Sequence, residues 1–430
     1  MVIGARPTGA RTKTRVRAEA RPGILAACPG RGGDSLHWPD VAGRHVAHGR
    51  RPRVGGILFL ALLAAACGSS PAAVSTSRAT PPSSVEAPAV AGRQALDLTT
   101  ALGQTVGVAF SGREVTPALR HLIVDLKVGT VVLLPSNFEG AAGLRHLTAE
   151  LGALGREAGL PAPLLVCLNQ EGGRASAVHD GVPEMPSELA LGAGGPRAVR
   201  SAMAATARGL RSLGVGLDLA PVSDLRTNPA DAVIGDRAYG ATAAVVSPLL
   251  TAAIEGLHDG GIGSTVKHFP GLGGQAGDPH TELTTDPMTF AQWQSTHAVA
   301  IGAGIAAGTD AVMTTEVIVP GLDPTGTPAV FSKPVVALLR DHLHFGGVII
   351  TDSLSMGGIQ ARMTVPAAAV AALEAGNDLM LLSNGDPDYE ARAIDAMRAA
   401  VTGGRVPIAQ VRASAARVIA LMRRHPVSGG

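Results

Sequence analysis

GGVIITD, residues 346–352, is a short run of apolar residues that stops on a carboxylate. A strand covered on one face alternates apolar and polar residues. A strand covered on both faces reads as continuous Val/Ile/Leu, as this one does. Seven more runs share the pattern: TVGVAF (105–110), TVVLLP (130–135), PLLVCLN (163–169), GVGLDLAP (214–221), GSTVKHF (263–269), DAVMTTEV (310–317) and DLMLLSN (378–384). Helical patterns fill the gaps. They include 196–213 and a C-terminal stretch in which Ile408, Val411, Ala415, Val418 and Met422 recur every three or four residues. Eight strand–helix alternations predict an α/β fold, a single (β/α)8 TIM-type barrel. The competing open doubly wound sheet lacks support, because no GxGxxG-type turn follows any run.

A barrel concentrates functional side chains at the C-terminal ends of its strands. The polar residues fall there: Asn169, Gln170 and Glu171 after the third run, Asp224 after the fourth, Lys267 and His268 in the fifth, Thr315 and Glu316 in the sixth, Asp352 in the seventh. Burying such groups without partners costs a few kcal/mol each. Five strands with polar tips at one end therefore predict a site.

The region before the barrel reads differently. VGGILFLALLAAAC (54–67) follows Arg50, Arg51 and Arg53 and is too short to span a bilayer. It resembles a bacterial lipoprotein signal with Cys67 as the lipidated residue, although Ala64 stands where a branched aliphatic is usual. An ordinary secretory signal is the alternative. The expected organisation is a leader over 1–66, a flexible Ser/Pro/Ala-rich tether over 67–96 and the barrel over 97–425. Residues up to about 45 are Arg/Gly/Pro-rich, and a start nearer Val41 or Val46 is expected. Residues 1–53 hold ten Arg and one Lys against three acids, so the overall +2 hides a body of −6. A mildly acidic body without a basic stripe gives no nucleic-acid footprint. Of three cysteines, Cys167 lies in an apolar run and reads as a core residue.

Several motifs occur in a fixed order: NQEGGR (169–174), APVSD (220–224), VIGDRAYG (233–240), KHFPG (267–271) with Asp278 and His280 downstream, and ITDSLSM (350–356). Together they resemble the β-N-acetylhexosaminidase branch of glycoside hydrolase family 3 over nearly all of 97–425. The resemblance implies retaining, exo-acting removal of N-acetylglucosamine. It makes Asp352 the nucleophile, with the alternative that Asp352 caps a helix starting at Ser353. It makes Asp278 and His280 the acid/base pair, the carboxylate fixing the imidazole's tautomer. The glycine-rich 271–277 is expected to swing that pair over the sugar. Lys267, His268 and Arg237 match sugar-binding positions, the alternative for Lys267 and Arg237 being internal salt bridges. Asp224 is expected to support them without touching sugar.

The chain departs from the family pattern. Asn169 replaces the Asp that grips the sugar, Leu272, Gly274 and Gln275 replace His, Asp and Thr, and Glu316 stands where a His is frequent. These changes bear on affinity and on which sugar is taken. No cofactor is implied. A metal site from His268, Asp278 and His280 has unusual spacing, and the sequence displays no second Cys/His cluster. No G-x-S-x-G elbow marks a serine hydrolase. A phosphorylase using the same site and a catalytically weak, membrane-tethered sugar-binding protein are the alternatives to a hydrolase. With aromatics at 3% of residues, the site is expected to take one terminal sugar. The expected substrates are small N-acetylglucosamine-terminated glycans or muropeptides. The expected protein is a monomer, lipid-anchored outside the cytoplasm.

Overall fold

The computed structural model describes residues 95–228, 231, 233–274, 277, 282–383 and 385–426. Eight parallel strands form the barrel: β1 (Val106–Val108), β2 (Thr130–Val132), β3 (Leu165–Leu168), β4 (Leu217–Asp218), β5 (Thr265–Phe269), β6 (Ala311–Thr314), β7 (Val348–Ser353) and β8 (Leu379–Leu382). Each falls on one of the eight apolar runs, β7 extending one residue past its run to Ser353. Neighbours in sequence are neighbours in space, and β8 returns to pair with β1, Val106 opposite Met380. The seam between β4 and β5 closes through the parallel bridges Leu217–Gly263 and Val222–Lys267. The expected barrel is therefore what the chain forms.

Alternation along each strand divides the core in two. Val166 and Leu168 face the outer layer beneath the helices, while Leu165 and Cys167 belong to the barrel lumen with Leu217, Met313, Ile350 and Leu381. All are buried, which is why the strands read as unbroken apolar runs. Burial pushes the Cys167 thiol up to about 12, so it stays a protonated core residue.

The C-terminal helix Ile408–Arg424 contributes Val418, Ile419, Leu421 and Met422 to the lumen cluster. It crosses the N-terminal ends of the strands, where the Met422 methyl approaches Gly129 and the His425 ring approaches Gly263. That end is plugged. The opposite end, where the polar tips lie, is open to a cavity. Among the described residues no helix is long and apolar enough to cross a membrane. The leader, Cys67 and most of the tether lie outside the described residues.

Candidate active site

The third strand turns into a two-stranded hairpin, Gln170–Gly172 against Ala175–Ser176. Gln170 anchors it: its side chain exchanges hydrogen bonds with the backbone of Val178 at 2.9 Å, and its N–H donates to Asp218 Oδ1 at 2.9 Å. Gly172 has φ +102°, and a Cβ there would meet the Pro186 carbonyl at 2.2 Å, so only glycine allows this close turn. The turn fixes Asn169 and Glu171 at the mouth of the barrel.

A cavity of about 220 Å³ opens there, lined by Asn169, Arg237, Lys267, His268, Leu272 and Asp352 among others. Five residues expected from sequence to form the site thus meet, although they span positions 169 to 352. The cavity is below the ~300–1,000 Å³ of typical ligand pockets and suits one small ring. A second cavity of about 300 Å³ adjoins it, sharing Leu134, Asn169 and Arg237.

Glu171 is the electrostatic hub. Lys267 Nζ lies 2.6 Å from its Oε1 and also donates to Asn169 Oδ1 at 2.8 Å. Arg237 grips the same carboxylate with two bonds, Nε to Oε2 at 2.7 Å and an Nη to Oε1 at 2.9 Å. Burial pushes the Glu171 carboxyl up, but the charges of Lys267 and Arg237 outweigh it and hold it down at about 2. Burial likewise works against the Arg237 charge, and Glu171 more than restores it. Lys267 and Arg237 therefore make internal salt bridges and line the cavity at the same time. The two sequence readings were not exclusive.

His268 is held from behind. Its Nδ1 donates to Asp224 Oδ2 at 2.6 Å, and Asp224 Oδ1 accepts the Leu272 N–H at 2.7 Å. Burial raises the Asp224 carboxyl, but His268 and these hydrogen bonds bring it below its ordinary value. The arrangement leaves His268 Nε2 facing the cavity, 4.0 Å from Asp352 Oδ2. Asp224 is fully buried behind His268 and is not among the residues lining the cavity.

Asp352 does not cap a helix. It lies within β7, and the next helix, Gly357–Gln360, starts four residues beyond Ser353 with Met356 at its cap position. Its side chain keeps 25% exposure into the cavity, and Oδ1 accepts only the neighbouring Ser353 N–H at 2.7 Å among the described residues. Beside it, Glu316 is fully buried, with Thr315 Oγ1 donating to Oε2 at 3.0 Å. Burial, and then the Asp352 charge, push the Glu316 carboxyl well above its ordinary range.

Asp278 and His280 lie outside the described residues. Leu272 lines the cavity, and the Glu282 backbone packs against Gly358, six residues beyond Asp352.

The order and spacing of these groups match a known family. The family described as glycosyl hydrolase family 3 N terminal domain matches residues 98–421. The chain belongs to glycoside hydrolase family 3. Within that family it falls in the β-N-acetylhexosaminidase branch. A β-hexosaminidase of Stenotrophomonas maltophilia is 34% identical over 302 residues, covering 68% of this chain and 86% of the relative. One from Xylella fastidiosa is 36% identical over 285 residues, covering 64% and 81%. Among solved structures, a family 3 β-N-acetylglucosaminidase from Paenibacillus superposes with a TM-score of 0.75 at 37% identity, over 78% of this chain and 64% of that one. A β-N-acetylhexosaminidase from Beutenbergia cavernae gives 0.70 at 32% identity, over 76% and 98%. The family 3 barrel here thus spans 64% of the Paenibacillus chain and nearly all of the Beutenbergia one. The chain is a glycoside hydrolase.

Proposed function

We propose that this family 3 member is an exo-acting, retaining β-N-acetylglucosaminidase that removes terminal N-acetylglucosamine from cell-wall fragments. The carrying observation is Asp352 at the C-terminal end of β7, its carboxylate open to a cavity for one ring and 4.0 Å from the Asp224-held His268. The solved relative named a β-N-acetylglucosaminidase, with the curated relatives named β-hexosaminidases, supports the choice of sugar.

In this reading Asp352 attacks the anomeric carbon while His280, steadied by Asp278, protonates the departing oxygen. A glycosyl-aspartate forms. His280 then takes a proton from water, which attacks the same carbon and frees Asp352, so configuration is retained. Lys267, His268 and Arg237 donate to sugar hydroxyls, and Asn169 offers its amide. Glu171 balances one of the Lys267 and Arg237 charges and the Asp352 carboxylate in the same cavity offsets the other, so the cavity presents donors without a large net charge, which suits an uncharged polyol.

The lipid anchor at Cys67 belongs to the same proposal, and it would hold the barrel at the outer face of the cytoplasmic membrane. Incorporation of labelled fatty acid into the native chain, lost in Cys67→Ser, tests it.

For the chemistry, turnover of an aryl N-acetyl-β-glucosaminide should far exceed that of the β-glucoside. Asp352→Asn should fall about a thousandfold or more. A 2-fluoro sugar should add its mass to the peptide carrying Asp352. Release of sugar 1-phosphate on adding phosphate would replace hydrolysis by phosphorolysis. Neither turnover nor trapping would leave a sugar-binding protein and defeat the reading.

A further inference from the structure

The plugged end of the barrel holds a second cluster of metal-ligating side chains, far along the strands from Asp352. His258 lies in the last turn of the helix Ala243–Gly260, Asp310 immediately precedes β6, and His425 follows the C-terminal helix. His258 Nε2 is 2.9 Å from Asp310 Oδ2, and His425 Nε2 is 3.0 Å from Asp310 Oδ1. One nitrogen or oxygen from each lies within 4.8 Å of the other two. The two imidazoles are nearly parallel, 20° apart, with centroids separated by 5.8 Å.

The carboxylate is fixed. Asp310 is buried, and the Ser264 N–H donates to Oδ2 at 3.1 Å. His425 Nε2 is also buried, and despite its closeness to Oδ1 it is not aligned for a hydrogen bond with any described residue. A buried imidazole nitrogen 3.0 Å from a carboxylate oxygen but off the line of a good hydrogen bond is placed to share an ion with it.

We infer that His258, Asp310 and His425 form a binding site for one divalent transition-metal ion of the zinc type. Two imidazoles and one carboxylate are a recurrent three-ligand set for zinc, with a fourth position left to water. The partly exposed His258 ring gives that water its opening. Bonds of ~2.0–2.1 Å in a tetrahedron separate ligand atoms by about 3.3 Å, so each imidazole moves back a few tenths of an ångström from its own Asp310 oxygen, and the three ligand atoms, now within 4.8 Å of one another, draw in around the ion. A neutral ring binds by moving its proton from Nε2 to Nδ1, and a protonated ring releases one proton to solvent. Imidazole ligands favour zinc, nickel or cobalt over magnesium or calcium.

Arg424 competes with the ion. Its guanidinium lies 3.0 Å from Asp310 Oδ1, but the side chain is 55% exposed and free to swing away. The bound ion would tie three segments together, the end of one barrel helix, the entry to β6 and the chain beyond the last helix. The N-terminal face of such barrels serves stability more than catalysis. The site is invisible in the sequence because its ligands stand at 258, 310 and 425, with no local spacing to mark them.

Calorimetric titration of the full chain with zinc chloride, paired with thermal unfolding, tests the inference. One equivalent should bind and raise Tm by several degrees, and magnesium chloride should do neither. His258→Gln and His425→Gln should each weaken zinc binding at least tenfold, and Arg424→Ala should strengthen it. If one histidine variant fails to fold, the other and Arg424→Ala still decide. No zinc binding to the parent, or binding undiminished in the histidine variants, overturns the site.

Discussion

Glu171 and Lys267 form an ion pair at 2.6 Å in which both side chains are almost completely buried. A buried pair of this kind is costly to assemble and costlier to break, because removing one partner strands the other charge. Arg237 shares the same carboxylate, so two cations depend on one acid. Glu171→Gln should therefore destabilise the barrel by ~3–5 kcal/mol. Denaturant unfolding measures it, and a midpoint within error of the parent would show that Lys267 and Arg237 find other partners.

The neighbouring amide predicts a gain. Lys267 also donates to Asn169 Oδ1 at 2.8 Å, a neutral acceptor between a charged donor and the cavity. Asn169→Asp would turn that bond into an ion pair, and any bond to a sugar hydroxyl into a charge-assisted one worth ~1 kcal/mol more. kcat/KM on an aryl N-acetyl-β-glucosaminide should rise about fivefold. An unchanged or lower value would mean that Asn169 is matched to its sugar as it stands.

How far the sequence could reach is clear at these positions. The barrel was legible because each strand is buried on both faces, and such burial leaves a continuous apolar run. The tips Asn169, Lys267, His268 and Asp352 were legible because polar residues ending such runs violate burial. Glu171 was visible as a tip but not as a hub, since its partners lie 66 and 96 residues away. Asp218 was lost inside the run GVGLDLAP. It is a buried carboxylate that fixes the hairpin through Gln170, and its apolar neighbours conceal it. Glu188 was also missed, because its bond to the Val222 N–H joins a helix to a distant strand end.

The pair formed by His268 and Asp224 predicts a loss specific to binding. Asp224 Oδ2 sets the proton on Nδ1 and turns Nε2 to the cavity. Asp224→Asn removes the charge from that bond and offers the ring an amide that can present either a donor or an acceptor. kcat/KM should fall about tenfold, the equivalent of ~1.4 kcal/mol, with KM carrying most of it. Asp224→Glu should restore part of the loss. A variant with parental KM and a reduced kcat would instead place His268 in the chemical step.

Glu316 beside Asp352 predicts how stability changes with pH. Burial, then the Asp352 charge, raise the Glu316 carboxyl well above 4.5, so the folded chain keeps a proton that the unfolded chain has lost. Its contribution is complete below about pH 4.5 and drains away as pH rises toward the folded value. Glu188, raised by burial and then by Glu171, acts in the same direction, as does Asp218, which burial raises to about 7. Glu171 opposes them on the acid side: held at about 2, it supports the fold above 4.5 and loses that support as pH falls toward 2. Stability should therefore peak in mild acid and decline toward neutrality. Glu316→Gln keeps the shape of a protonated carboxyl and has no proton to lose, so its decline between about pH 5 and 8 should be shallower by up to ~1.4 kcal/mol per unit. Tm measured for both proteins across that range decides, since parallel curves would clear Glu316 of the effect. The same substitution leaves Asp352 facing an amide instead of a carboxylate that can ionise, so alkaline loss of activity should begin at higher pH in the variant than in the parent.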